Sequence, residues 1–159
     1  MHSEVRIQEV DFSVAAEWEA LRERASGDVG AVASFVGLVR DRDPEAEIQE
    51  LYLEHYPGMT EASIQKILDE TAARWPILDI VVIHRVGSLE PRDQIVFVQA
   101  AAAHRPAAFA ACEFVMDYLK TDAVLWKRER LKGGERWIEA TGDDRRRVAR
   151  WKGGPAGEA

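Results

Sequence analysis

Two lysines and a His-Arg-Pro triplet stand at opposite ends of one apolar stretch of the chain. The triplet His104-Arg105-Pro106 precedes the stretch, Lys120 closes it, and Lys127 follows one short segment later. Cations in this arrangement suit an anionic small molecule that is held against a reactive carbonyl or acyl group. Because the whole chain has a formal net charge of -7, these cations do not belong to a general basic surface.

The position of Lys120 has two interpretations. At about 100° per residue, Glu113, Asp117 and Lys120 share one stripe of an otherwise apolar helix. That stripe could be solvated, with an Asp117–Lys120 ion pair that stabilises the helix by a few tenths of a kcal/mol. Alternatively, Lys120 and Lys127 share a partly desolvated pocket. A lysine there loses its proton more readily and can act as a nucleophile or as a general acid–base group.

Weaker signals come from an arginine at a helix start and from three residues in strands. Arg105 could bind a phosphate, because exposed backbone N–H groups at a helix start favour an anion. It could instead be a surface arginine beside a histidine that bonds to the backbone. Arg40 ends a buried strand, where functional side chains are common. His55 and His84 lie within strands and are expected to be structural, since their wide separation matches no metal-ligand spacing.

The elements that position these residues are a mixture of strands and helices. Ser13 is expected to cap a helix over 14–25, with Val14, Trp18 and Leu21 on one face, and Thr60 is expected to cap a second one. A third, apolar helix begins at Pro106. The predicted strands cover 5–10, 30–41, 48–56, 79–87, 95–102, 125–131 and 135–140, the last two joined by a glycine turn. Because strands and helices do not alternate strictly, the order favours an α+β fold with a C-terminal β-hairpin.

The length of 159 residues fits one domain, which is predicted to span 1–142. The remaining segment, 143–159, contains three consecutive arginines and a Gly/Pro-rich end. It is predicted to form about one helical turn and then to be disordered.

Composition excludes several classes of protein. The 28 acidic residues outnumber the 21 basic ones, so broad binding of nucleic acids or anionic membranes is not expected. The single cysteine, Cys112, excludes an internal disulfide and is expected to lie in the core. Neither a secretory signal nor a membrane-spanning apolar run is visible, so a cytoplasmic protein is expected. No motif for a phosphate loop, a Ser/His/Asp elbow or a metal site is present.

Five segments closely resemble the large, catalytic subunit of molybdopterin synthase. The similarity covers about residues 28 to 140 in order, and the pairing of LEHYPGM with HR, MDYLK and WKRE is highly specific. The segments are GAVASFVGLVRD, LEHYPGMTEAS, IVVIHRVGSLEPRDQIVFV, AHRPAAFAACEFVMDYLKTDAVLWKRE and ERWIEA.

The resemblance implies sulfur transfer in molybdenum cofactor biosynthesis. The family converts cyclic pyranopterin monophosphate to molybdopterin. Its sulfur arrives as a thiocarboxylate on the C-terminal glycine of a small ubiquitin-like partner, whose tail inserts into the large subunit. The implied fold is α+β with an α/β-hammerhead element and a mixed or antiparallel sheet. Two large subunits are expected to form a central homodimer within a heterotetramer, and no cofactor is implied.

The resemblance also assigns residues. Lys120 and Lys127 match the family's essential lysines, with Lys120 beside the partner's terminal glycine and Lys127 near the substrate. The matching substrate-binding or pocket-lining positions are Arg40, His104, Arg105, Arg128, Glu129, Phe35 and Met116. Of these, His104 and Arg105 are expected to reach across the dimer.

The chain departs from the family pattern at two positions. Leu38 stands where bacterial relatives carry a lysine, so no side-chain cation is expected there. Thr141 stands in place of an arginine after the WxEA motif, which removes one expected contact with the partner.

Two other functions compete with catalysis. The chain could be a non-catalytic dimeric platform that docks a ubiquitin-like tail, although both lysines, Arg40 and the His104-Arg105 pair argue against this. It could also bind single-stranded nucleic acid through WKRERLKGGERW, where Trp126 and Trp137 would stack on bases. The acidic net charge and the hairpin context argue against that function.

Overall fold

The computed structural model describes residues 1–43 and 46–153, and these form two sheets and four helices. The helices are α1 (Val14–Arg24), α2 (Met59–Arg74), α3 (Arg105–Leu119) and α4 (Gly142–Trp151). The strands are β1 (His2–Gln8), β2 (Ala31–Leu38), β3 (Arg42–Asp43), β4 (Ala46–His55), β5 (Ile77–Arg85), β6 (Gly87–Leu89), β7 (Gln94–Ala102), β8 (Leu125–Leu131) and β9 (Gly134–Ile138). The predicted α+β class is confirmed.

The first sheet is mixed and has the order β1-β5-β7-β2. Strand β1 runs parallel to β5, and the other two pairs are antiparallel. Because side chains alternate along a strand, β5 contributes to two apolar clusters. Ile80 and Val82 pack with Phe114 of α3 in the main core, whereas Val81 and Ile83 pack with Phe12 on the other face.

The second sheet is antiparallel, with the order β3-β4-β8-β9 and with β6 beside β4. Strands β8 and β9 form the predicted C-terminal hairpin. In its register, Lys127 lies between Leu53 and Ile138, while its neighbour Arg128 lies between Tyr52 and Trp137. Lys127 and Arg128 therefore point to opposite faces of this sheet.

Two local predictions differ from the structure. Thr60 does not cap α2 but lies within its first turn, where its hydroxyl accepts from the backbone N–H of Tyr56 at 2.9 Å and donates to the carbonyl of Val124 at 2.6 Å. Gly58 precedes the helix instead, with a φ of 85° that favours glycine. Trp18 was predicted to share one face of α1 with Leu21, but it is 42% exposed and only Leu21 of that helix is buried.

The segment after residue 142 forms a longer helix than the sequence predicted. Helix α4 has ten residues rather than about one turn. Its Trp151 packs edge-on against Trp75 and Phe114, with ring centroids 5.5 and 5.4 Å apart, and Val148 is buried in the core. These contacts remove part of the Trp151 ring from solvent, where a single helical turn would have left it. The predicted disorder beyond the helix concerns residues 154–159, which lie outside the described residues.

Asp117 joins α4 to α3. This buried carboxylate accepts from the indole N–H of Trp151 at 2.8 Å, from Arg147 at 2.9 Å and from Arg150 at 3.3 Å. Glu113, one turn earlier, accepts from the same two arginines. The two acidic residues of the stripe considered for this helix face are therefore paired with α4.

The packing of α4 predicts an unequal response to two tryptophan substitutions. Trp151→Ala should lower the free energy of unfolding by about 2–3 kcal/mol, because it removes both the ring contacts and the bond to Asp117. Trp137→Ala, at a side chain 57% exposed, should cost less than about 1 kcal/mol. Urea unfolding followed by circular dichroism measures both values. Equal losses in the two variants would contradict this placement of α4.

Candidate functional site

A cavity of about 460 Å³, called here the inner cavity, is bounded by strands of both sheets and by the last turn of α3. Its charged or titratable lining residues are Arg40, His84, Lys120, Lys127 and Glu129. The rest of the lining is mostly apolar and comprises Phe35, Val36, Gly37, Leu38, Val39, Ile48, Leu51, Ile95, Val96, Met116, Leu119 and Ile138.

A second cavity of about 470 Å³, called here the outer cavity, lies between the α3–β8 connection, the end of the hairpin and the start of α4. Residues that line both cavities are Arg40, Leu119, Lys120, Lys127 and Ile138. The two lysines thus stand where the two cavities meet. A molecule in either cavity would lie against both lysines.

The segment between the two lysines, which connects α3 to β8, is held by the start of α2. The hydroxyl of Ser63 accepts from the backbone N–H of Val124 at 3.1 Å, and Thr60 donates to the carbonyl of the same residue. This double anchor fixes the chain just before β8 begins. It therefore sets the position of Lys127 relative to Lys120, the residue that ends α3.

Lys127 is half-buried, and its surroundings destabilise the protonated form of its side chain. Burial, followed by the nearby charge of Lys120, lowers the pKa of Lys127 to about 8, and Asp144 of α4 opposes the shift. Near neutral pH the side chain is therefore largely protonated but releases its proton readily. This property suits both charge stabilisation and proton transfer.

Lys120 is exposed at the C-terminal end of α3, where the helix dipole favours a cation. In the part of the chain that the structure describes, no ion pair joins it to Asp117, whose oxygens are bonded to α4. The Asp117–Lys120 pair of the first interpretation is thus not formed. The structure instead places Lys120 beside Lys127, as the second interpretation predicted.

His84 lines the inner cavity, although the sequence had indicated a purely structural residue. Its ring is only 4% exposed, and Nδ1 lies 2.8 Å from the carbonyl oxygen of Arg85. Burial, with the charge of Lys127 as the next cause, lowers the pKa of His84 to about 3. The alternation of side chains along β5 could have identified His84 as a cavity residue. His84 lies on the same face of the strand as Ile80 and Val82, and α3 covers that face.

Six of the nine residues predicted for the site line the inner cavity: Phe35, Arg40, Met116, Lys120, Lys127 and Glu129. Glu129 is buried, and its carboxylate is held by Arg136 through two contacts of 2.7 and 2.8 Å. This ion pair stabilises the wall of the cavity opposite the sheet of β5 and β7.

The other three predicted residues lie elsewhere. Arg128 is on the outer face of the hairpin, where its guanidinium stacks between the rings of Tyr52 and Trp137 at 5.0 and 5.6 Å. His104 and Arg105 are exposed at the start of α3, about 24 Å from Lys120 at 1.5 Å per helical residue. Neither lines the inner or the outer cavity of its own chain.

The two departures from the family pattern also have defined places. Leu38 is 53% exposed at the rim of the inner cavity and adds no charge there. Thr141 caps α4: its hydroxyl accepts from the N–H of Asp144 at 3.0 Å, and its own N–H donates to that carboxylate at 2.8 Å. Thr141 therefore orients Asp144, the acid that opposes the pKa shift of Lys127.

The thiol of Cys112 is an unsuitable nucleophile. The residue is buried, and burial raises the pKa of its thiol to about 11, with the charge of Glu113 as a smaller cause. Over residues 1–43 and 46–153, no three His, Cys, Asp or Glu side chains come together in a way that could hold a metal ion. None of the helices described is long and apolar enough to cross a membrane.

Comparison with known proteins points to one family. Residues 7–122 match the family model described as MoaE protein. The molybdopterin synthase catalytic subunit of Ralstonia nicotianae is 52% identical over 92% of this chain and 83% of its own length. The subunit of the same name from Vibrio cholerae is 49% identical over 96% of this chain and its full length.

Solved structures agree with this result. The molybdopterin biosynthesis MoaE protein from Burkholderia ambifaria superposes with a TM-score of 0.80 at 51% identity, covering 96% of this chain and 99% of that one. A complex of subunits 1 and 2 of molybdopterin-converting factor from Helicobacter pylori shares the fold, with a TM-score of 0.68 at 20% identity over 87% and 90%. The chain therefore belongs to the MoaE family of molybdopterin synthase catalytic subunits.

Proposed function

We propose that this chain transfers sulfur from the thiocarboxylated C-terminus of a small ubiquitin-like subunit to cyclic pyranopterin monophosphate, forming the dithiolene of molybdopterin. Family membership supports molybdopterin biosynthesis as the process. The observation that carries the finer proposal is the meeting of two cavities at Lys120 and Lys127. A protein tail and a small anion that react with each other must both reach the same cations. The two cavities provide a separate route for each.

The proposed chemistry needs no nucleophile from this chain. The partner's thiocarboxylate sulfur attacks a carbon of the substrate, a C–S bond forms, and an oxygen is displaced from that carbon. Water then cleaves the S–acyl bond, which releases the partner as a carboxylate and leaves the sulfur on the substrate. A second thiocarboxylate supplies the other sulfur in the same way. Of the two displaced oxygens, one is an ester oxygen of the cyclic phosphate, whose ring opens, and the other leaves as water.

Within this scheme the cations have separate roles. Lys120 stabilises the negative charge that develops on the acyl group during transfer and hydrolysis. Lys127 and Arg40 hold the phosphate and assist ring opening, and the lowered pKa of Lys127 allows it to supply a proton to the leaving oxygen. Phe35 and Met116 provide apolar surface for the pterin ring. The burial of Cys112 agrees with a sulfur that comes from the partner.

We further propose that the working assembly is a homodimer of this chain that carries two small subunits. The Helicobacter pylori structure is described as a complex of the two subunits of molybdopterin-converting factor, which supports such a partner. The distance of His104 and Arg105 from the inner cavity of their own chain supports a role in the neighbouring subunit's site. Arg128, on the outer hairpin face, would likewise reach substrate only in a site completed by another subunit.

Substitution of the lysines tests this function. Lys120→Ala and Lys127→Ala should each lower molybdopterin formation by about 100-fold or more, as expected when a group that stabilises developing charge is removed. The assay combines the chain with thiocarboxylated small subunit and cyclic pyranopterin monophosphate, and it detects molybdopterin. The matched control is Lys132→Ala, at an exposed lysine in the hairpin turn, which should retain full activity.

Two results would contradict the proposal in different ways. Near-normal product formation by Lys120→Ala would refute the role of that lysine. A wild-type chain that binds the partner in gel filtration but forms no product would instead indicate the non-catalytic docking platform.

The shared site can be tested with mixed dimers. His104→Ala/Arg105→Ala chains and Lys120→Ala chains should each be inactive alone, while a mixed dimer should regain one working site. With random mixing, about one quarter of the wild-type activity should return, because half of the dimers are mixed and each has one intact site. Activity measured before and after subunit exchange gives the result. Absence of any recovery would refute the placement of His104 and Arg105 across the dimer.

A further inference from the structure

The tautomer of His84 follows from its surroundings. Its Nδ1 is 2.8 Å from the carbonyl oxygen of Arg85, and a carbonyl can only accept, so Nδ1 carries the proton. The ring is neutral, because it is buried and lies near the charges of Lys127 and Lys120. In a neutral imidazole with a protonated Nδ1, the lone pair is on Nε2.

The backbone at His84 is paired on both sides within the first sheet. Strand β5 is an interior strand of the first sheet, and His84 is paired with Ile7 of β1 on one side and with Val96 of β7 on the other. No hydrogen bond to Nε2 occurs among the residues that the structure describes. The ring borders the inner cavity, so the lone pair is available to a molecule bound there.

The other polar side chains of the inner cavity have a different character. Arg40, Lys120 and Lys127 can only donate when protonated, and the carboxylate of Glu129 is engaged by Arg136. A substrate that carries N–H or O–H groups as well as a phosphate needs an acceptor in addition to these donors. Leaving such a donor group unpaired in a desolvated cavity would weaken binding.

We infer that His84 is a further substrate-binding residue, whose Nε2 accepts a hydrogen bond from an N–H or O–H group of the molecule in the inner cavity. This inference rests on the proposed function, which supplies a pterin as that molecule. Lys127 and Arg40 hold the phosphate end, and His84 orients the uncharged, heterocyclic end. A residue that was expected to be structural then contributes directly to recognition.

Two substitutions distinguish the roles of the two ring nitrogens of His84. In His84→Asn the side-chain amide can still donate to the Arg85 carbonyl, as Nδ1 does, but it offers no acceptor at the ε position. In His84→Gln the amide oxygen can occupy the ε position and accept. His84→Asn should therefore weaken binding of cyclic pyranopterin monophosphate about tenfold, whereas His84→Gln should stay within about threefold of the wild type.

The measurement is a titration of cyclic pyranopterin monophosphate into the purified chain, followed by the fluorescence of the pterin. A second readout is the ¹⁵N resonance of His84 Nε2, which should move when substrate is added to the wild type. Urea unfolding of both variants checks that they fold. Unchanged binding by folded His84→Asn, together with an unmoved Nε2 resonance, would overturn the inference. Failure of the wild type to bind the substrate or to form product would overturn the proposed function instead.

Discussion

The site depends on two ammonium groups that are held close together at the meeting point of two cavities. The burial of Lys127 and then its repulsion from Lys120 oppose protonation, and these effects lower the pKa of Lys127 to about 8. Such an arrangement is unfavourable unless the scaffold fixes both side chains. It becomes favourable when an anion binds, because the anion offsets the repulsion between the two ammonium groups.

Much of the fold serves to keep this pair in place. Helix α3 packs its apolar face on the first sheet, which fixes Lys120 at its end. The second sheet fixes Lys127 through the register of β8 between β4 and β9. Hydrogen bonds from α2 to Val124 join the two elements, and Asp117 secures α4, whose Asp144 supplies a nearby negative charge. Rigid placement of this kind is what a reaction between two bound partners requires.

The sequence predicted those features that depend on local patterns. The apolar run before Lys120 indicated α3, and the glycine turn indicated the hairpin. Features that depend on tertiary contacts were missed. The docking of α4 rests on Trp151 and Asp117, which are distant along the chain, and His84 becomes a cavity residue only because α3 ends above it. The opposite orientation of Lys127 and Arg128 follows from strand alternation and could have been predicted.

A direct measurement of the Lys127 pKa tests whether burial and the charge of Lys120 destabilise the protonated form. Chemical shifts of ¹³C-labelled lysine, followed from pH 6 to 11, report each side chain separately. We expect a pKa of about 8 for Lys127 in the wild type and a higher value in Lys120→Ala, because the neighbouring cation is removed. An ordinary lysine pKa in the wild type, or a value unaffected by Lys120→Ala, would contradict it.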